Sequence, residues 1–154
     1  MQNTIPATRP RYRERLAPSL WLLVSAAVLA PMIALTLVPL NSAFGLVIGI
    51  AVALAVIGLL VAASPVVSVG DTTLRAGRAH IDARWLGEPV ALTGEDAKQA
   101  RGPGLSASGW HLIRGGVDGI VIVPNTDPDD PVTSWTISTR TPDRLAAAIR
   151  RAGD

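Results

Sequence analysis

The chain has 154 residues, 49% of them hydrophobic, 17% charged and 4% aromatic, with no cysteine and a formal net charge of +2. Without cysteine there is no disulfide scaffold, thiolate metal site or cysteine nucleophile. A soluble domain carries about 25% charged residues, and the shortage here is confined to one stretch: residues 16–70 hold no Asp, Glu, Lys, Arg or His.

In chain order, residues 1–15 carry Arg9, Arg11, Arg13 and Arg15 against Glu14 and read as a basic cytoplasmic arm. The uncharged stretch is too long for one crossing, since a bilayer core needs roughly 20 helical residues. Pro39, Asn41, Ser42 and Gly45 supply a turn in its middle. Residues 16–64 are therefore expected to form a transmembrane helical hairpin, with spans at about 19–38 and 44–63. Trp21 lies at headgroup depth, Pro31 should kink the first span, and Ser64-Pro65 ends the second. A signal peptide has an apolar core of about 7–15 residues; the first apolar run here is longer, and a second follows.

The arginines ahead of the first span hold the arm in the cytoplasm. Two crossings return the chain there, so both termini are expected on the cytoplasmic side of a bacterial plasma membrane. The arm of residues 9–15 is also a candidate contact for anionic lipid. Gly45, Gly49 and Ala53 form a small-residue stripe. It suits packing on the first span, or docking on a second copy or a partner's helix. Neither span holds the ionisable group that transporters and channels usually need.

Residues 65–154 change period. Short strands are expected at 66–69, 72–76, 79–85, 89–92, 110–114, 119–124 and 132–139. A short helix begins after Thr93, and a C-terminal helix begins at Thr141-Pro142-Asp143 with Leu145, Ala148 and Ile149 as its apolar stripe. The class is α+β: a two-helix hairpin, then a small β-barrel or sandwich capped by a helix. Residues 71–154 hold 10 basic and 11 acidic side chains, which argues against a basic face for nucleic acid.

Possible chemistry is thinly scattered. Asp127, Asp129 and Asp130 lack the spacing of a calcium loop and suit a turn. His80 and His111 fall on separate strands. Ser134 and Ser138 lie on an alternating strand without a nucleophile elbow. Arg114-Gly115-Gly116 is a candidate anion nest. No catalytic residue, metal ligand or cofactor is assigned. Thirteen of the 14 basic residues are Arg, a bias of GC-rich, actinobacterial-type coding.

Several strings fall in a particular order: Tyr12-Arg13-Glu14-Arg15-Leu16, the two spans, Leu74-Arg75-Ala76-Gly77-Arg78-Ala79, Trp85-Leu86-Gly87-Glu88, Gly102-Pro103, Arg114-Gly115, Asp127-Pro128-Asp129-Asp130-Pro131, Trp135, and Ser138-Thr139-Arg140 before Pro142. In this order the chain resembles an actinobacterial family of two-span membrane proteins of unknown function, nearly throughout from Tyr12. The resemblance implies a cytoplasmic domain that looks like a bacterial PH-type barrel, with Arg114, Trp135 and Arg140 as the candidate binding surface. The expected function is that of a non-catalytic, membrane-anchored module. It would bind a protein, a peptide or a lipid headgroup, and the expected partners include the bilayer and a protein or second copy. Two alternatives stand beside it: an accessory subunit of a larger complex, docked through the Gly45/Gly49/Ala53 face, and an enzyme of lipid-linked substrates.

Overall fold

The computed structural model describes residues 11–37, 39 and 41–153. The chain divides into two units: one runs to Leu16 and resumes at Pro65, and the other is Ala17–Ser64.

The Ala17–Ser64 unit is helical. Helices α1 (Leu20–Ala27) and α2 (Leu29–Leu37) form a first apolar rod of 18 residues, and α3 (Ser42–Ala62) a second of 21. At 1.5 Å per residue these are about 27 and 31 Å long, and both are long and apolar enough to cross a bilayer. Ser19 and Asn41 cap α1 and α3, accepting the Leu22 and Phe44 N–H groups. The first rod is interrupted at Val28, between α1 and α2, rather than at Pro31 itself. Pro31 has no N–H for the carbonyl of Ala27, and its ring crowds that carbonyl. The break therefore opens one turn before the proline.

Gly45, Gly49 and Ala53 are buried in this unit. A Cβ at Gly45 would stand 3.0 Å from the Ala34 carbonyl oxygen, and one at Gly49 would collide with the Ala30 carbonyl. The stripe is thus already covered by α2. Of the two expectations for that face, these contacts support packing on the first span and oppose docking on another subunit. Around the rest of the unit Leu20, Trp21, Met32, Leu35, Phe44, Val47, Leu54 and Leu59 are exposed.

The other unit is built from two four-stranded sheets. In sheet 1 the order is β1 (Tyr12–Arg15), β2 (Val66–Val69), β3 (Thr73–Ala76), β4 (Ala79–Asp82), all antiparallel. In sheet 2 it is β5 (Val90–Leu92), β7 (Gly119–Pro124), β8 (Ser134–Thr139), β6 (Trp110–Leu112), with β6 parallel to β8. Among the described residues the two sheets are separate ladders, so the expected barrel is not closed. The 79–85 strand ends at Asp82 and passes into a 3₁₀ turn at Ala83–Trp85.

The larger departure is β1. Residues 1–15 were expected to be an arm outside the domain, yet Tyr12 to Arg15 pair residue by residue with Val69 to Val66. Leu16 is fully buried, and its N–H donates to the Pro65 carbonyl at 2.9 Å. The helical unit is therefore inserted between two neighbouring strands of one sheet.

The core lies between sheet 1, sheet 2 and α5 (Pro142–Gly153). Val67, Val69 and Leu74 from sheet 1 cluster with Val121, Val123 and Ile137 from sheet 2 and with Leu145, Ala148 and Ile149 from α5. Helix α4 (Gly94–Arg101) covers the opposite face of sheet 2, packing Ala97 and Ala100 on Ile120. That second cover explains why Thr136 and Ser138, paired with Ile122 and Ile120, are buried although β8 alternates in polarity, whereas Thr139 faces the other way, toward Tyr12 and Glu14. Thr93 stands at the N-cap of α4, but its hydroxyl makes no capping bond.

Candidate anion-binding groove and basic sheet face

Strand β1 presents two different faces, because successive side chains in a strand point to opposite sides. Tyr12 and Glu14 point inward and Arg13 and Arg15 outward. The inward pair meets the junction of β8 and α5. Tyr12 Oη donates to Glu14 Oε2 at 2.6 Å, and Thr139 Oγ1 donates to the same oxygen at 2.6 Å. The Arg140 N–H donates to Glu14 Oε1 at 3.0 Å, and the Arg140 guanidinium stands 3.6 Å from that oxygen. Thr141 Oγ1 completes the cluster, 2.9 Å from Tyr12 Oη. Burial pushes the Glu14 carboxyl up, but the bonds from Thr139, Tyr12 and the Arg140 amide outweigh it and hold the group below the ordinary glutamate range. Burial, then the Glu14 carboxylate it donates to, push the Tyr12 phenol above its usual value.

Over this cluster lies an open groove of about 720 Å³ between β1 and α5. Arg11, Arg13, Arg140, Arg144 and Arg151 line it, against Glu14 and Asp143. Arg11 is committed to Asp71 at 2.7 Å and to the Arg151 carbonyl, and Arg140 to Glu14. Among the described residues the guanidinium groups of Arg13, Arg144 and Arg151 have no acidic or carbonyl partner, so the groove carries excess positive charge.

The outward side of sheet 1 is basic as well. The register sets Arg13, Ser68, Arg75 and His80 in one row across all four strands. Arg15 and Val66 form the next pair, and Arg78 sits in the β3–β4 turn behind Gly77, whose φ of +65° suits the missing side chain. A shallow depression of about 290 Å³ opens between Arg13, Val66, Ser68, Arg75 and Gly77. The near-neutral charge of residues 71–154 hid this face, because β1 supplies part of it.

The expected surface residues separate. Arg140 lines the groove. Trp135 does not belong to a surface: it is 4% exposed and packs in the core, with Trp110 at 5.9 Å between ring centroids. This corrects its assignment. Arg114 is half-buried outside the groove, with its backbone N–H donating to Ser138 Oγ. Asp127, Asp129 and Asp130 make a turn: Asp127 and Asp130 accept the Asp129 and Val132 N–H groups, and Asp130 also holds Asn125. Tyr12 and Glu14, which meet Arg140, were missed. Their sequence signals are a four-residue alternation beside an apolar run and a place in the first of the family strings.

Fold and site together define a protein with two helices fit to cross a bilayer and a two-sheet unit bearing an arginine-lined groove. The chain matches the family described as "Protein of unknown function (DUF3093)" over residues 11–149, and it belongs to that family. The match begins with β1. No curated protein and no solved structure matches the chain.

Proposed function

We propose that the protein is a non-catalytic module, anchored in a bacterial plasma membrane by its helical hairpin, that holds an acidic segment of a partner protein in the β1–α5 groove. The observation that carries this is the pair of α5 arginines, Arg144 and Arg151, with no acidic or carbonyl partner for their guanidinium groups among the described residues and both lining one open groove. Arginine is suited to the task, because its planar fork binds carboxylate and phosphate in bidentate fashion. The groove's carboxylate Glu14 is engaged as a hydrogen-bond acceptor, so it is not placed as a general base. Two four-stranded sheets with a C-terminal helix against the core support a PH-like domain.

The anchor reading rests on the exposed apolar shell of α1–α3. In water such a surface is a liability, and in lipid it is solvated. The bond from Leu16 to Pro65 ties together the two ends of the inserted helices. Whatever crosses the bilayer between them must return to the same side, which supports an even number of crossings. Arg13, Arg15, Arg75 and Arg78 on that side favour the cytoplasm.

A photo-crosslinking residue at Ala147, within the groove lining, tests the reading in native membranes. A discrete protein adduct is expected, lost in Arg144→Glu/Arg151→Glu. An adduct that survives the double reversal, or none in either chain, refutes it.

A further inference from the structure

We propose that the outer face of sheet 1 is a docking face for the anionic headgroups of the bilayer that holds the hairpin. This rests on the anchor reading but not on the groove. Arg13, Arg15, Arg75 and Arg78 all lie on or beside this face, and none has an ion-pair or hydrogen-bond partner for its guanidinium among the described residues. His80 extends the row. Among the strand residues of that face the one carboxylate is Asp82, on the far strand, which stands 3.7 Å from Arg84.

The shape favours a planar charged partner over a peptide. The face offers one shallow depression and, on the two strands nearest the spans, Val66 as its single apolar side chain. A peptide gains specificity from pockets for alternate side chains, and these are lacking there. A sheet of phosphates needs only fixed cations, and each guanidinium near an anionic surface adds to the attraction.

Sequence adjacency provides the occupant. Four residues separate Arg15 from Leu20 at the start of α1, and three separate Ala62 at the end of α3 from Val66. At no more than about 3.6 Å per residue, Arg15 stays within roughly 18 Å of the first span whatever the linker does. Anionic lipid is therefore always within reach of this face, at an effective concentration that no free ligand matches.

The native chain has no cysteine, so a nitroxide on Thr73→Cys reports on this face and one on Gln99→Cys, on α4, serves as control. The full chain is reconstituted in nanodiscs of phosphatidylcholine alone, or with about one-third phosphatidylglycerol, each doped with a nickel-chelating lipid. Power saturation is expected to show the residue-73 label meeting headgroup nickel in the phosphatidylglycerol discs alone, with the residue-99 label unaffected. Arg75→Gln and Arg78→Gln should each lower the docked-to-undocked ratio about fivefold. Equal contact in both kinds of disc, or contact that survives the double variant, overturns the proposal. So does a label that responds to added polyglutamate but not to phosphatidylglycerol, which would indicate a protein partner. Carbonate extraction separates the two failures: a chain released from the membrane overturns the anchor, whereas a retained chain with a water-exposed label overturns the docking face alone.

Discussion

Removing the Glu14 carboxylate tests whether residues 12–15 are an integral strand. Glu14→Ala deletes the acceptor of three hydrogen bonds, from Tyr12, Thr139 and the Arg140 amide. A hydrogen bond to a charged group contributes about 1.5–3 kcal/mol, but the three losses do not add. Tyr12 Oη keeps Thr139 and Thr141 within 2.9 Å, and the amide belongs to an exposed residue that water reaches. The Arg140 ion pair, with its guanidinium side 46% exposed, adds no more than about 1 kcal/mol. The net cost is about 3 kcal/mol. With a urea slope of about 1.5 kcal/mol per molar for a unit of this size, the midpoint of the soluble unit should fall by roughly 2 M. The assay is urea unfolding of the full chain in detergent, followed by near-ultraviolet circular dichroism. Hydrogen exchange at residues 12–15 should accelerate in the variant. Sign and window follow from the depressed carboxyl. A group whose pKa is lower folded than unfolded stabilises above its unfolded value, about 4.3 for glutamate, and loses that contribution as pH falls through the folded value. The gap between the native chain and Glu14→Gln should therefore be full at neutral pH and shrink in acid. An unchanged midpoint with unchanged exchange would mean that β1 is a loosely held arm.

Two further outcomes follow from packing. Gly49→Leu drives a side chain into the Ala30 carbonyl and should destabilise the hairpin by about 1–3 kcal/mol; in detergent the aggregation temperature should drop, while Gly58→Leu, with nothing within 4 Å of its Cβ, should leave it unchanged. Trp135 buries an indole N–H with no partner among the described residues. Trp135→Phe removes that orphan donor as it removes volume, so it should cost under about 1.5 kcal/mol by urea unfolding, against roughly 3–5 for Trp135→Ala.

The helices and most strands were legible because each has a strong local signal. Residues 16–70 lack charge entirely, β2 and β7 match their expected bounds, and α4 and α5 begin where Thr-Gly and Thr-Pro announce them. The two misjudged features have different causes. Trp135 was named for its place in the family strings, whereas its alternation with Ile137 points to the core between the sheets and α5, where it packs. Strand β1 looks like a topology-setting arm because its partner β2 lies more than fifty residues away, beyond helices α1 to α3. Pairing across such an insertion leaves no mark on local pattern.

The insertion also changes what the N-terminal arginines do. On a free arm, Arg11, Arg13 and Arg15 would only bias topology. In a strand, alternation fixes Arg13 and Arg15 on the outer face while Glu14 ties the inner face to Arg140. Arg11 is held by Asp71 at the β2–β3 turn. In the proposed function the same side chains would both set the orientation of the spans and form the binding surface, and losing β1 would remove both together. A chain truncated before Leu16 should therefore lose sheet 1 order as well as its charge bias, and hydrogen exchange at Val66–Val69 separates this from the loss of a dispensable tail: unchanged protection there would refute the coupling.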